Sequence, residues 1–204
     1  YNYKQLKSEL KQKNHVFRTN SDVEVIIHLF EQEGVESFQR LDGMFAFALL
    51  DVKTNQLYLC RDRVGIKPLY YIRENEDTIY FASEIKSLHR VSKDRTVNAE
   101  ILAEYLMWGY SISGSSVWEK VDIVPPGSYL KISDHTHRIS SYIDDKPVEY
   151  FEDSEIAIKE LRNAVIQDIE SQLMSDVPLG VFLSGGIDTS IIVGVISKLM
   201  DLRI

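Results

Sequence analysis

Near the end of the chain, three apolar residues, Val181-Phe182-Leu183, run straight into Ser184-Gly185-Gly186, and an apolar helical pattern follows through Met200. No other stretch restricts the fold as much. The order predicts a short buried strand, a tight glycine loop and a helix opening at about Asp188, which is the first unit of an α/β domain. The loop also predicts chemistry. The first N–H groups of a helix have no partner inside it, and the helix dipole makes that end positive. Glycines let the backbone approach a ligand closely, so a phosphate fits there. The hydroxyls of Ser184, Thr189 and Ser190 can add hydrogen bonds. Asp188 is too negative to face bare phosphate and suits Mg²⁺ better. The Gly-Lys-Ser/Thr ending of a Walker A loop is absent.

Upstream the pattern differs. Tyr1 to Lys13 reads as a helix with Leu6 and Leu10 on one face. Arg18 to Asp22 is a polar turn whose Ser21 and Asp22 can cap a second helix, Val23 to Glu33, ended by Gly34. A third short helix precedes Leu41-Asp42-Gly43. Met44 to Asp51 is a nearly continuous apolar run, as expected of a strand covered on both faces. Gln56 to Arg61 runs back, and Leu69 to Arg73 with Thr78 to Ala82 makes a hairpin. Ser83 to His89 and Asn98 to Trp108 read as helices, the second with Asn98 as its cap. Pro125-Pro126-Gly127 turns the chain into the strand Ser128 to Ile132, whose partner is Arg138 to Ile143. Asp144 to Asp153 is charged, contains Pro147 and reads as a linker. Ser154 to Met174 then carries a helical stripe, Ile158, Leu161, Val165, Ile169 and Leu173. The expected organisation is an α+β domain over residues 1–143, a linker over 144–153, and the opening of an α/β domain over 154–204.

Composition narrows the function classes. A net charge of -8 with no basic run argues against a nucleic-acid partner. No apolar run approaches the length of a membrane span. One cysteine, Cys60, excludes an intrachain disulfide and fits a reducing, cytoplasmic compartment. Cys60 lies in the strand Leu57-Tyr58-Leu59-Cys60, where a buried small hydrophobe is the expected role. Of the five histidines only His135 and His137 show any ligand-like spacing, and they fall in a polar turn, so solvated histidines are expected throughout. The chain opens on Tyr1 and ends inside an apolar helical pattern, which predicts an internal piece of a longer protein.

Three motifs carry a family resemblance. Ser184-Gly185-Gly186-Ile187-Asp188-Thr189-Ser190 resembles the SGGxDS signature of the ATP pyrophosphatase superfamily, whose members adenylate a carboxyl or carbonyl oxygen and release pyrophosphate. Leu41 to Ala48, Arg61 to Tyr71 and Phe81 to Lys86 resemble the glutaminase domain of class II glutamine amidotransferases. Glutaminase first and phosphate loop second is similar to the glutamine-hydrolysing asparagine synthetase family. The resemblance implies an N-terminal-nucleophile αββα sandwich lacking its first segment. The opening strand and helices of an α/β synthetase domain, like that of adenine-nucleotide hydrolases, would follow. It implies that ammonia from glutamine attacks an aspartyl acyl-adenylate made with Mg-ATP, giving asparagine, AMP and pyrophosphate.

The same resemblance assigns residues and partners. Asp22 would bind the α-amino group of glutamine, against the plainer role of helix cap. Phe182, Ser184, Gly185, Gly186, Asp188, Thr189 and Ser190 would hold ATP, with Asp188 on Mg²⁺. The partners are then glutamine, aspartate and ATP, without nucleic acid or membrane, and with room for a homodimer. The family nucleophile is an N-terminal cysteine. Tyr1-Asn2-Tyr3 resembles the end of the family segment Asn-Gly-Glu-Ile-Tyr-Asn, so no catalytic residue and neither activity is expected of residues 1–204 alone. Arg61, Asp62, Lys67 and Glu84 are expected to brace turns. A relative amidating another acceptor (a sugar, a peptide, or in the manner of β-lactam synthetase) and a non-catalytic module remain the alternatives. A sugar-phosphate amidotransferase would lack the second loop.

Overall fold

Two side chains mark where the first long helices form. In the computed structural model, Leu6 and Leu10 are the buried face of α1, Tyr3–Gln12. The Asp22 carboxylate accepts from the Val23 N–H and opens α2, Val23–Glu33, which ends where the Gly34 N–H donates to the Phe30 carbonyl. A 3₁₀ segment, Gly34–Arg40, follows directly and carries the fully buried Phe38. The structure describes residues 1–133, 136–144 and 150–200. The chain divides into two compact units, Leu6–Asp144 on the one hand and Asp145–Ile204 with Tyr1–Gln5 on the other.

In the first unit, β1 (Ala46–Asp51), β2 (Gln56–Arg61), β6 (Ser128–Ser133) and β7 (Thr136–Ser141) form one antiparallel sheet in the order β1-β2-β6-β7. A second sheet has the order β4-β3-β5, from β3 (Tyr70–Arg73), β4 (Ile79–Ala82) and β5 (Asp122–Ile123). Two helices, α3 (Ile85–Leu88) and α4 (Ala99–Trp108), lie between β4 and β5 in sequence. The alternation of side chains along β2 explains the layering. Tyr58 and Cys60 point to one face, where they pack with Phe38, Tyr142 and Phe30 of the helical layer. Leu59 points the other way and meets Leu130, Leu69 and Val124, which joins the two sheets face to face. Along β3 the same alternation sends Ile72 outward onto Leu88 of α3 and Val121. The order helix, sheet, sheet, helix is thus an α+β sandwich.

Two expectations fail in this unit and the next. The run Met44 to Asp51 is not covered on both faces. β1 is an edge strand, and Leu50 is 59% exposed. An unbroken apolar run reports propensity for a strand but not which layers cover it. In the second unit, α5 (Ser154–Gln172) and α6 (Ile187–Leu199) form as expected, with Asp153 capping α5 through the Glu155 N–H. Val181-Phe182-Leu183 does not form the expected buried strand. It is irregular and exposed, Phe182 at 96%. A strand needs a neighbour to complete its hydrogen bonds, and among the described residues none lies beside it. The α5 stripe buries only its C-terminal half: Ile169 is buried and Val165 and Leu173 partly so, whereas Ile158 and Leu161 are exposed. Half of the expected linker, residues 145–149 of 144–153, lies outside the described residues, and so does His135.

Candidate functional site

The glycine loop takes the shape its sequence requires. Gly185 sits at φ 83°, a conformation open to glycine at no steric cost, and Gly186 leads directly into α6. Asp22, Asn98 and Asp153 cap α2, α4 and α5 with their carboxylate or amide oxygens, but the start of α6 receives no side-chain cap. Its first amides therefore face outward with the positive end of the dipole. Thr189 Oγ1 lies 3.2 Å from Ser184 Oγ and donates to the Gly186 carbonyl at 3.1 Å, which holds both hydroxyls at the mouth of the helix. Asp188, in the first turn, lines an apolar groove of about 640 Å³ with Asp168, Ile169, Leu173 and Ile192. Of the residues expected to hold ATP, only Asp188 lines that groove. Ser184, Gly185, Gly186, Thr189 and Ser190 form the rim of the helix start, and Phe182 projects into solvent.

Asp22 occupies the other expected site, in the loop between α1 and α2. Its carboxylate accepts from the Val23 N–H at 2.9 Å, so the capping role is present, and the residue is exposed, so a further ligand has access. Glu24 fixes the loop that carries it. It accepts from the Arg18 N–H at 2.6 Å, the Thr19 N–H at 2.8 Å and the Thr19 hydroxyl at 2.5 Å. The Arg18 N–H first and the Thr19 hydroxyl next hold the Glu24 carboxyl down at about 2, against the opposing effect of burial.

Arg61 and Asp62 brace a turn, as expected. The Arg61 guanidinium donates to the carbonyls of Lys67, Val124 and Gly65 at 2.8, 2.9 and 2.7 Å. The fully buried Asp62 carboxylate accepts from the Ile66 and Lys67 N–H groups, both at 2.9 Å. Burial works to raise the Asp62 pKa, but the backbone donors outweigh it and hold it below the usual carboxylate range. Gly65, at φ 71°, closes the turn: an added Cβ would stand 2.8 Å from Pro126 Cγ. Lys67 is exposed, and Glu84 pairs with Lys86 at the surface. Cys60 is fully buried in the core, and burial pushes its thiol far above the usual range, so it is no nucleophile.

The histidines depart from expectation. His15 and His28 are not free in solvent but partly buried side by side, with Glu31 against them. His89 packs edge-on against Trp118 with both ring nitrogens buried and without a hydrogen-bond partner, and burial lowers its pKa. Linear spacing could not reveal the first cluster, because His15 lies in the loop before α2. The signal that was readable is the helical spacing of Glu24, His28 and Glu31 on one face.

A four-layer sandwich followed by a glycine loop and an uncapped helix start makes a two-part chain, and the comparisons with known proteins give the class of each part. Residues 1–143 match the glutamine amidotransferase domain family, and residues 160–204 match the asparagine synthase family. The chain belongs to the glutamine amidotransferase domain family and carries the start of an asparagine synthase domain. It is similar to glutamine-hydrolysing asparagine synthetase 1 of Bacillus subtilis, at 40% identity over 198 residues, which are 96% of this chain and 31% of that protein. Glutamine-hydrolysing asparagine synthetase B of Escherichia coli is 35% identical over 204 residues, 100% of this chain and 32% of that protein. The chain thus spans about a third of the length of the curated relatives it matches. The glutamine phosphoribosylpyrophosphate amidotransferase of Bacillus subtilis, solved with ADP and GMP, gives a TM-score of 0.47 at 20% identity over 98% of this chain and 42% of that one, too little to carry an argument. Among the described residues no helix is long and apolar enough to cross a membrane.

Proposed function

We propose that the whole protein to which this chain corresponds is an ATP-dependent, glutamine-fed ligase that makes asparagine from aspartate. One observation carries the reading: an uncapped helix start behind Ser184-Gly185-Gly186 in a chain whose first 143 residues match the glutamine amidotransferase domain family. In this proposal residues 1–143 form the glutaminase domain, 144–153 a linker, and 154–204 the opening of an adenine-nucleotide hydrolase-like synthetase domain. A cytoplasmic setting belongs to the same reading and rests on the single buried thiol.

The chemistry divides between the parts. A carboxylate does not react with ammonia unaided, because its oxygen is a poor leaving group. Transfer of the aspartate β-carboxylate onto the α-phosphorus of ATP expels pyrophosphate and supplies a good leaving group, AMP. The first amides of α6, with the Ser184, Thr189 and Ser190 hydroxyls, would take the pyrophosphate oxygens, where developing charge meets fixed dipoles. Gly185 and Gly186 let the backbone come within reach, and the exposed Phe182 ring would lie against the nucleotide. Asp188 fits the role of a Mg²⁺ ligand. It stands beside the phosphate-binding turn, with Asp168 on the same groove, and Mg²⁺ is held by one or two carboxylates together with phosphate oxygens. When bound, Mg²⁺ neutralises phosphate charge. In the glutaminase part, Asp22 would accept from the α-ammonium of glutamine, held in place by the Glu24-anchored loop.

Isothermal calorimetry of the whole protein with Mg-ATP tests the nucleotide half. We expect saturable heat, with affinity falling about tenfold or more in Gly186→Val, whose side chain blocks the amides. The absence of heat with both ATP and AMP would defeat the enzyme reading. For Asp22→Asn in the whole enzyme, we expect a raised KM for glutamine with ammonia-dependent synthesis unchanged.

A further inference from the structure

The loop after α1, which also carries Asp22, and one face of α2 bring three ligand atoms together. His15 Nδ1 lies 3.3 Å from His28 Nδ1. Glu31 Oε2 lies 2.9 Å from His28 Nδ1 and 3.9 Å from His15 Nδ1. A circle through these three atoms has a radius of about 2.0 Å, the length of a Zn–N or Zn–O bond. The two histidine side chains are sheltered, at 16% and 17% exposure, while Glu31 opens the cluster to solvent.

The far side of each ring is already engaged. His15 Nε2 lies 3.0 Å from the Gln32 side-chain oxygen, and His28 Nε2 lies 3.7 Å from Glu24 Oε1. A proton on Nε2 of each ring would face these oxygens and leave Nδ1 free to ligate. Glu24 is itself fixed by the Arg18 and Thr19 donors. In that tautomer both Nδ1 lone pairs face the Glu31 carboxylate oxygen, a set of three ligand atoms that a cation at their centre would join. Ring N–H groups donating to carboxylate or amide oxygens are the usual support behind metal-ligating histidines.

We propose that His15, His28 and Glu31 form a site for a divalent transition-metal ion, Zn²⁺ by its ligand set, with a fourth position open to water. Two imidazoles and a carboxylate disfavour Mg²⁺ and Ca²⁺, which take oxygen ligands. The ion would tie the loop after α1 to the middle of α2 and so close a clamp around residues 16–27. The site stands whether or not the proposed synthetase reading does.

Zn²⁺ titrated by calorimetry into the chelator-treated 204-residue protein tests this. One ion per chain is expected, with a rise in the thermal midpoint on binding. His15→Ala and His28→Ala should abolish that uptake, and Gln32→Ala, which touches no metal, should weaken it by about tenfold. No saturable uptake, or uptake that both histidine variants retain, overturns the proposal. A midpoint that does not respond to Zn²⁺ overturns it equally. Should the alanine variants fold poorly, the Co²⁺ spectrum of the unaltered protein decides: four-coordinate absorption supports the site, and the spectrum of the hydrated ion refutes it.

Discussion

Glu24 shows how one side chain ties a loop to pH. Its folded pKa, about 2, lies below the ordinary value of 4.5 because the folded loop donates to the ionised form. The contribution is therefore fully present above about pH 4.5 and is lost as pH falls from there through about 2. We expect Glu24→Gln to be less stable than the parent at pH 7, with the difference shrinking as pH is lowered through that window. Urea melts at pH 7, 4 and 3 would show it, and a constant difference would contradict it. Gly127 makes a second prediction at this scale. It sits at φ 60°, and an added Cβ would fall 2.0 Å from Ile143 Cδ1. Gly127→Ala should cost about 1–3 kcal/mol, read from the shift of the urea midpoint. The turn Pro125-Pro126-Gly127 was readable in the sequence. That its glycine faces Ile143 was not, because the contact joins the two ends of a hairpin.

At the scale of elements, agreement is closest where a local signal acts alone. α2 runs from the residue after Asp22 to the residue before Gly34, and α4 begins after Asn98, because caps act on the backbone within a turn of themselves. The Asn98 side chain accepts from the Glu100 and Ile101 N–H groups at 3.1 and 3.2 Å. Asn98→Ala should destabilise the protein by about 1 kcal/mol while Asn98→Asp is nearly neutral, as measured by thermal unfolding. Elements that depend on neighbours were read less well. Val181 to Leu183 has the composition of a strand, but composition does not supply a partner. β1 has the composition of a covered strand but lies at a sheet edge.

For the molecule as a whole, burial is uneven between the two units. Phe38, Leu59, Cys60, Val124 and Leu130 are all essentially inaccessible within Leu6–Asp144, whereas α5 and α6 bury only Ile169 and Ile196, each at 9% exposure. Local opening is cheapest where few apolar side chains hold a helix down. Hydrogen exchange of this 204-residue chain should therefore be much faster at the amides of α5 and α6 than at those of β2 and β6. Equal protection in both units would refute this.

The sequence alone determined the helices with their caps, the hairpins with their turns, the order of the two parts, and the glycine loop that points to phosphate chemistry. All of these arise from interactions within a few residues, or from motifs whose residues are contiguous. Tertiary structure decided which strands are covered and that His15 reaches His28 and Glu31, and it supplied the partners for what the sequence already suggested, the turn held by Arg61 and Asp62 and the burial of Cys60. Those outcomes depend on distances through space, which spacing along a chain does not encode. The glycine loop belongs to both: its sequence makes the turn, but the strand that should precede it forms only where another strand completes its hydrogen bonds.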